Sequence, residues 1–287
     1  MSKPNIKMTK YIDLPKIVKE QHPSLYKKMP RFILWLIEKI IRQDRLNQIV
    51  HKYINDHGVA FTDRMVEELR LTLDIQGYDN LPDNGRCFFI ANHHFGILDG
   101  MILANIVGNK YGCFMGIAND AFNLVPQLKS MVTSVNVYGK SAKSQIMELD
   151  RIYKSDLPIN HFPSGEVSRK FNGKVQDKEW QKSFIAKAIS EKRDVVPVYF
   201  HGKNSRLFYN INALRKFLGI KSNIELILLP SEMLKKEGET IKVVIGKPIP
   251  YYVLDNGVSH QILAEKLRRF LYDLNINPLQ TFTHNYS

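Results

Sequence analysis

The sequence predicts an α/β protein: a mixed, largely parallel sheet flanked by helices and entered through an N-terminal helical extension. Three observations predict it. From residue 71 onward, short apolar or β-branched runs alternate with helix-length amphipathic segments. Turn signals such as Leu81-Pro82-Asp83-Asn84-Gly85 punctuate the runs. Before residue 71 the apolar residues recur at helical spacing and strand-like runs are missing. Apolar residues make up 44% and aromatics 10% of the 287 residues, enough to bury a core, so a disordered chain is excluded. The chain is therefore expected to divide into a membrane-facing helical extension, 1–70, and an α/β domain, 71–287.

Each element has its own signal. Pro30 suits the first turn of a helix that continues through Phe32, Ile33, Leu36, Ile37, Ile40 and Ile41 on one broad face. Arg31, Glu38, Arg42 and Arg45 gather opposite, with Trp35 at the border. Leu71–Gly77 and Cys87–Ala91 are expected strands around the Leu-Pro-Asp-Asn-Gly turn. Leu98–Val107 is an expected helix, Gly112–Ile117 a strand, Ala121–Val132 a helix and Ser134–Tyr138 a strand. Ser141–Lys154 is then helical, Pro158–Phe162 a strand, Trp180–Glu191 helical, and Asp194–Phe200 a β-branched strand. Ile241–Ile245 is a late strand, and His260–Leu274 a closing amphipathic helix.

Two cysteines, Cys87 and Cys113, exclude a disulfide framework and a zinc ribbon, and their apolar settings suit buried thiols. Lys and Arg number 41 against 28 Asp and Glu, a net +13. Residues 1–50 hold eleven Lys/Arg and four Asp/Glu, so more than half of the excess lies there. Such a chain suits nucleic acid or an anionic membrane surface. No helix-turn-helix, finger or RNA-recognition signature appears, which disfavours nucleic acid. Met1–Lys10 is polar with no apolar stretch after it, so no signal peptide is expected. The longest apolar runs, such as Phe32–Ile37 and Met101–Val107, fall far short of the ~18 residues of a spanning helix. The 30–42 helix either packs on the core or lies in a bilayer interface, a choice its basic flank Lys27-Lys28 and border Trp35 keep open. The acid-free run 195–224, with Lys203, Arg206, Arg215, Lys216 and Lys221, is either a solvated helix face or an anion-facing patch.

Active residues of such sheets gather beyond the carboxyl ends of strands. There, Ala91-Asn92-His93-His94-Phe95-Gly96-Ile97-Leu98-Asp99 follows the second strand. On a continuous helix His94 and Asp99 would lie about 140° apart and never touch. With His94 in the turn, Gly96 permitting the bend and Asp99 in the first helical turn, they converge. Asp99 would then hold His94 in one tautomer while the other ring nitrogen acts as a base. Two alternatives stand beside this: Asp99 as an ordinary helix-start acid, and a metal site from His93, His94, Asp99 and His161. A second segment, Asn160 to Lys170, holds Phe162-Pro163-Ser164-Gly165-Glu166, a tight turn in which Gly165 lets a ligand approach backbone amides. A third, Val195-Val196-Pro197-Val198, is uninformative alone.

Together the three segments, over about 85–205, resemble the glycerolipid (lysophosphatidic acid–type) acyltransferase family. The family's marks are His-x4-Asp after a core strand, a Phe-Pro-x-Gly turn and an apolar-Pro-apolar strand. The resemblance implies a glycerol-3-phosphate acyltransferase-like fold and transfer of a fatty acyl group from a thioester, on acyl carrier protein or coenzyme A, to a hydroxyl. It implies His94 as general base and Asp99 as its orienting partner. Turn amides at Gly96 or Gly165 would be oxyanion donors. No bound cofactor and no metal are implied. Phe162, Pro163, Ser164, Gly165, Glu166, Ser168, Arg169, Lys140 and Pro197 would be substrate contacts, as would Gly96. Ser164 stands where the family usually has Glu, Val167 where it has Arg, and Lys140 is the only cation where an Arg is usual. The form Phe-Pro-Ser-Gly-Glu-Val-Ser-Arg, with Tyr-Phe-His-Gly-Lys-Asn-Ser-Arg after the third segment, is similar to a bacterial hemolysin-like branch that includes makers of ornithine- and glycine-type aminolipids. Arg169, Lys170, Lys203 and Arg206 would then face a carboxylate, a phosphate or the anionic donor. The expectation is an acyltransferase of phospholipid or aminolipid synthesis, peripheral on the cytoplasmic face of the inner membrane. Its partners would be the thioester, a lipid acceptor and an anionic membrane surface, with no nucleic acid. The alternatives are a non-catalytic lipid-binding protein of the same fold and an N-acyltransferase on an amino-acid amine.

Overall fold

The computed structural model describes residues 10–21, 23–118, 125–134, 143–221, 223–283 and 286. Five helices come first: α1 (Leu14–Gln21), α2 (Pro23–Lys28), α3 (Arg31–Ile40), α4 (Gln43–Lys52) and α5 (Val59–Glu68). Pro30 stands just outside α3, and Arg42 at φ 54° ends the run that the apolar pattern had continued to Ile41. Leu46, Ile49, Phe61, Met65 and Leu69 from α4, α5 and its end join the core of the sheet.

The sheet has seven strands: β1 (Thr72–Gln76), β2 (Cys87–Ala91), β3 (Met115–Ala118), β4 (Val132–Ser134), β5 (Ile159–His161), β8 (Asp194–Phe200) and β9 (Thr240–Ile245), in the order β1-β9-β8-β2-β5-β3-β4. Only β8 and β9 run antiparallel; the other neighbouring pairs are parallel. The expected mixed, largely parallel sheet is thus what the chain builds. Between β5 and β8 a small hairpin, β6 (Arg169–Phe171) and β7 (Lys174–Gln176), stands apart as a two-stranded sheet.

Helices cover both faces, so β2 and β8 are buried on both sides and read as continuous apolar runs rather than alternating ones. Cys87, Phe89 and Ala91 point towards α5 and α6 (Ile97–Tyr111), whereas Phe88 and Ile90 point to the opposite layer. That layer is built from α7 (Lys143–Lys154), α8 (Ser183–Ser190) and α12 (His260–Asp273). Pro197 sits in the middle of β8, where a missing N–H would normally break a ladder. The β8–β9 pairing is irregular there: Val195 bridges Ile249 and Val198 pairs Ile245, so between these pairs two residues on one side face three on the other. This is a bulge, and Pro197 contributes its carbonyl to Gly246 N–H at 2.9 Å.

Two expectations change. The helix expected at Ala121–Val132 lies in part outside the described residues. Within them, Pro126–Leu128 is a single 3-10 turn and β4 begins at Val132, because Gly116 N–H takes the Met131 carbonyl and draws the chain into the sheet. The strand expected over Ser134–Tyr138 therefore starts earlier, and its 135–138 part lies outside the described residues. The acid-free run holds a helix, α9 (Arg206–Phe217), followed by a 3-10 turn (Ile224–Leu228) and α10 (Leu229–Leu234). A short α11 (Tyr251–Leu254) precedes α12. No described helix is long and apolar enough to cross a membrane.

Candidate active site

The carboxyl ends of β2, β5 and β8 lie at one edge, and Asn92 ties two of them. Its side-chain amide donates to the Phe200 carbonyl at 3.0 Å and accepts from Phe200 N–H at 2.7 Å, extending the ladder by one side chain. The next residue, His93, is held from four directions. Its N–H donates to Asp177 Oδ1 at 3.1 Å, and its carbonyl accepts from Ser168 N–H at 2.7 Å. The Phe162 ring stacks on it, centroids 4.1 Å apart and planes within 27°. Its Nδ1 lies 2.8 Å from Asp99 Oδ1.

Asp99 is fully buried in the first turn of α6, and both of its oxygens are used. Oδ2 accepts from Phe95 N–H at 2.9 Å and from Gly96 N–H at 3.2 Å. Donors at a helix start favour a carboxylate there. An ionised carboxylate only accepts, so the Nδ1 of His93 carries the proton and Nε2 is left with its lone pair. Among the described residues no side chain is hydrogen-bonded to that Nε2, and the His93 side chain keeps 18% of its surface open. The arrangement is a tautomer-fixed imidazole that presents a base to an entering molecule.

The partner of Asp99 is thus His93, and not His94 as the spacing had suggested. Leaving β2, the backbone is extended and successive side chains point to opposite faces. His93 falls on the α6 face, with Ala91. His94 turns to the α12 side, 3% exposed, edge-on to Tyr199, with Nε2 3.3 Å from the Tyr272 hydroxyl. Burial pushes its pKa below the usual histidine value, against the pull of Asp177 and Asp99. The helix-start role and the histidine-holding role of Asp99 were posed as alternatives; the carboxylate does both.

Other expected contacts are distributed differently. The Gly96 and Gly165 amides are already bonded, to Asp99 Oδ2 and to the Phe162 carbonyl, so neither is an oxyanion donor in this arrangement. Gly165 instead supplies φ 67° for the turn, in which Ser164 is buried and donates to the Glu166 carbonyl. The Pro163 carbonyl accepts from Gln181 N–H, and Glu166 pairs with Lys178. Arg169 turns inward. It is buried, bonded to Glu225 Oε1 at 2.8 Å and to the Val167 carbonyl, and lies over the Phe208 ring. A buried carboxylate that also pairs with Arg215 claims it. Pro197 is buried in the sheet as described, and Lys140 lies outside the described residues. Lys170, Lys203 and Arg206 are exposed. His161 is wedged between the Phe88 and Phe184 rings, neither ring nitrogen has a hydrogen-bond partner among the described residues, and burial lowers its pKa to about 4. No three His, Cys, Asp or Glu side chains among the described residues are placed to share a metal ion.

Asp177 is the residue the sequence did not announce. It is buried, and its carboxylate also accepts from Ser168 Oγ and from Trp180 Nε1 at 2.9 Å. Its own N–H donates to the Tyr272 hydroxyl at 2.7 Å. One residue therefore fastens the His93 backbone to the turn segment and to α8's entrance through its carboxylate, and to α12 through its own N–H.

Comparison with known proteins places the chain beside acyltransferases. A family model described as "Acyltransferase" matches residues 16–280. The chain is 36% identical over 264 residues to a lyso-glycine lipid O-acyltransferase of Bacteroides thetaiotaomicron, covering 92% of this chain and 97% of that one. It is equally 36% identical to the protein of the same description from Phocaeicola vulgatus, covering 95% of it. Among solved structures it is similar to the 1-acyl-sn-glycerophosphate (LPA) acyltransferase PlsC of Thermotoga maritima, at 13% identity and a TM-score of 0.48, with 92% and 93% of the two chains covered.

Proposed function

The chain belongs to the acyltransferase family and is an acyltransferase, and from that premise we propose that it acylates the hydroxyl of a lyso-glycine lipid, with His93 as general base. The observation that carries the reading is the buried Asp99 carboxylate on His93 Nδ1 with Nε2 left open. The acceptor is supported by relatives matched over nearly their whole length and described as O-acyltransferases of lyso-glycine lipid.

The chemistry follows from the proton inventory. A hydroxyl does not ionise at neutral pH, so Nε2 removes its proton while the oxygen attacks the thioester carbonyl. The new C–O bond forms, the C–S bond breaks, and the leaving thiolate takes the proton back from His93. Asp99 stabilises the imidazolium in between without itself becoming protonated. The donor is a fatty acyl thioester of acyl carrier protein or coenzyme A. Because the acceptor is a lipid, the reaction takes place at a membrane surface, with the protein peripheral on the cytoplasmic face and the exposed apolar side of α3 turned towards the bilayer.

Purified His93→Ala, given acyl thioester and lyso-glycine lipid, is expected to lose transfer by about 10²–10⁴-fold. His94→Ala is expected to retain most of it. The opposite ranking would return the role to His94, and near-wild-type transfer by both would remove general-base catalysis from this loop.

A further inference from the structure

Two elements expose large apolar side chains among cations. On α3, Phe32 is 67% and Trp35 57% exposed, with Leu36 beside them, while Leu34 faces inward. On α9 and at the residue that caps it, Leu207, Leu214 and Leu218 recur along one line at helical spacing, and Phe217 is 87% exposed. The opposite side of α9 is buried through Phe208, Asn212 and Arg215. The two elements rest on one cluster of side chains. Ile40 of α3 packs on the cluster of Val167, Phe208 and Leu228 that underlies α9. Val167 directly precedes Ser168, whose N–H holds the His93 carbonyl, so one layer of side chains separates this surface from the His93 loop.

Charge identifies what covers the surface. Lys28 and Arg31 are exposed at the start of α3, and Arg206 and Lys221 flank α9 within a run that holds no acid from 195 to 224. Apolar side chains ringed by cations suit the headgroup and acyl boundary of an anionic bilayer. We propose that α3 and α9 form one bilayer-docking surface, with α9 as a second contact that sets the His93 loop against the lipid. This deepens the reading of a lipid acceptor and rests on it.

The test measures binding and turnover apart. Co-sedimentation with vesicles of phosphatidylcholine mixed with phosphatidylglycerol is compared with phosphatidylcholine alone, for wild type, for Phe32→Glu/Trp35→Glu and for Leu214→Glu/Phe217→Glu. Circular dichroism checks folding, and Phe217→Ser replaces the α9 pair if that pair unfolds. Each variant is expected to bind mixed vesicles at least about tenfold more weakly, with transfer to acceptor in detergent micelles retained. Wild-type binding is expected to fall with salt. An α9 variant that binds like wild type, or wild type that prefers neither vesicle, overturns the proposal. So does loss of transfer in detergent by the α9 variant, or a solution dimer that it dissociates. A wild type that binds through both elements yet transfers nothing in detergent overturns the proposed function and leaves the docking surface standing.

Discussion

Asp99 holds the His93 ring through one oxygen and gathers the amides of Phe95 and Gly96 through the other, so the ring and the helix start are positioned by the same group. Asp177 does the corresponding work on the backbone side. Its three donors, His93 N–H, Ser168 Oγ and Trp180 Nε1, all need an acceptor. Asp177→Asn keeps the shape but turns one oxygen into a donor, leaving at least one buried donor unanswered, at a cost of roughly 1–3 kcal/mol. If Asp177 positions His93, the variant should lower kcat by about tenfold or more with KM nearly unchanged, while melting as one cooperative transition; a change in stability alone would make it structural only. The His-His-x-Gly-x-x-Asp segment was legible in the sequence as the site, and the pairing within it was not. Counting to His94 assumed that the turn brings the nearer histidine to Asp99. Carrying the strand's two-residue alternation past Ala91 places His93 on the face covered by α6, where Asp99 lies, so the signal was present. Asp177 had none, because an isolated Asp gives no pattern that says which backbone groups it will meet.

At the level of elements, the strands buried on both faces were the plainest in the sequence, and the β-branched edge and near-edge runs at Thr72–Gln76 and Thr240–Ile245 were legible beside them. Cys87–Ala91 and Asp194–Phe200 stand where the apolar runs end. The β6–β7 hairpin and the helix α9 were not, since short mixed-polarity strands and a helix with an outward apolar line lack the usual inward pattern. The junction of β2 and α6 turns on Gly96 at φ 82°, a left-handed conformation that L side chains resist. A Cβ there would stand 2.9 Å from Leu229 Cδ2 and 3.1 Å from Val167 Cγ2. Gly96→Ala should therefore destabilise the fold by at least about 1 kcal/mol and shift the amides that Asp99 gathers. Urea unfolding and acyl transfer would both fall; an unchanged midpoint would mean that the junction relaxes freely.

For the whole molecule, the +13 charge and the sheet order have separate outcomes. The charge excess in residues 1–50 and in the acid-free run frames the surface of α3 and α9, beside the site rather than away from it. The sheet order governs how the chain is assembled. Among the described residues β1 pairs with β9 alone, in parallel, from Thr72 with Thr240 to Gln76 with Val244. The intervening strands, helices and active-site loop must be traversed before that register exists. Closing so distant a pair makes folding slow, because the entropy of the loop is lost before the contact rewards it. A nascent chain that stops short of Thr240 holds an unpaired β1 beside helices whose apolar faces await the finished sheet, a species inclined to aggregate. Fragment 1–238 is accordingly expected not to reach a cooperative native state, and a sharp thermal transition from it would show that the pairing is dispensable. Synthesis of this enzyme thus includes an interval in which its longest-separated strands depend on being shielded until the second one arrives.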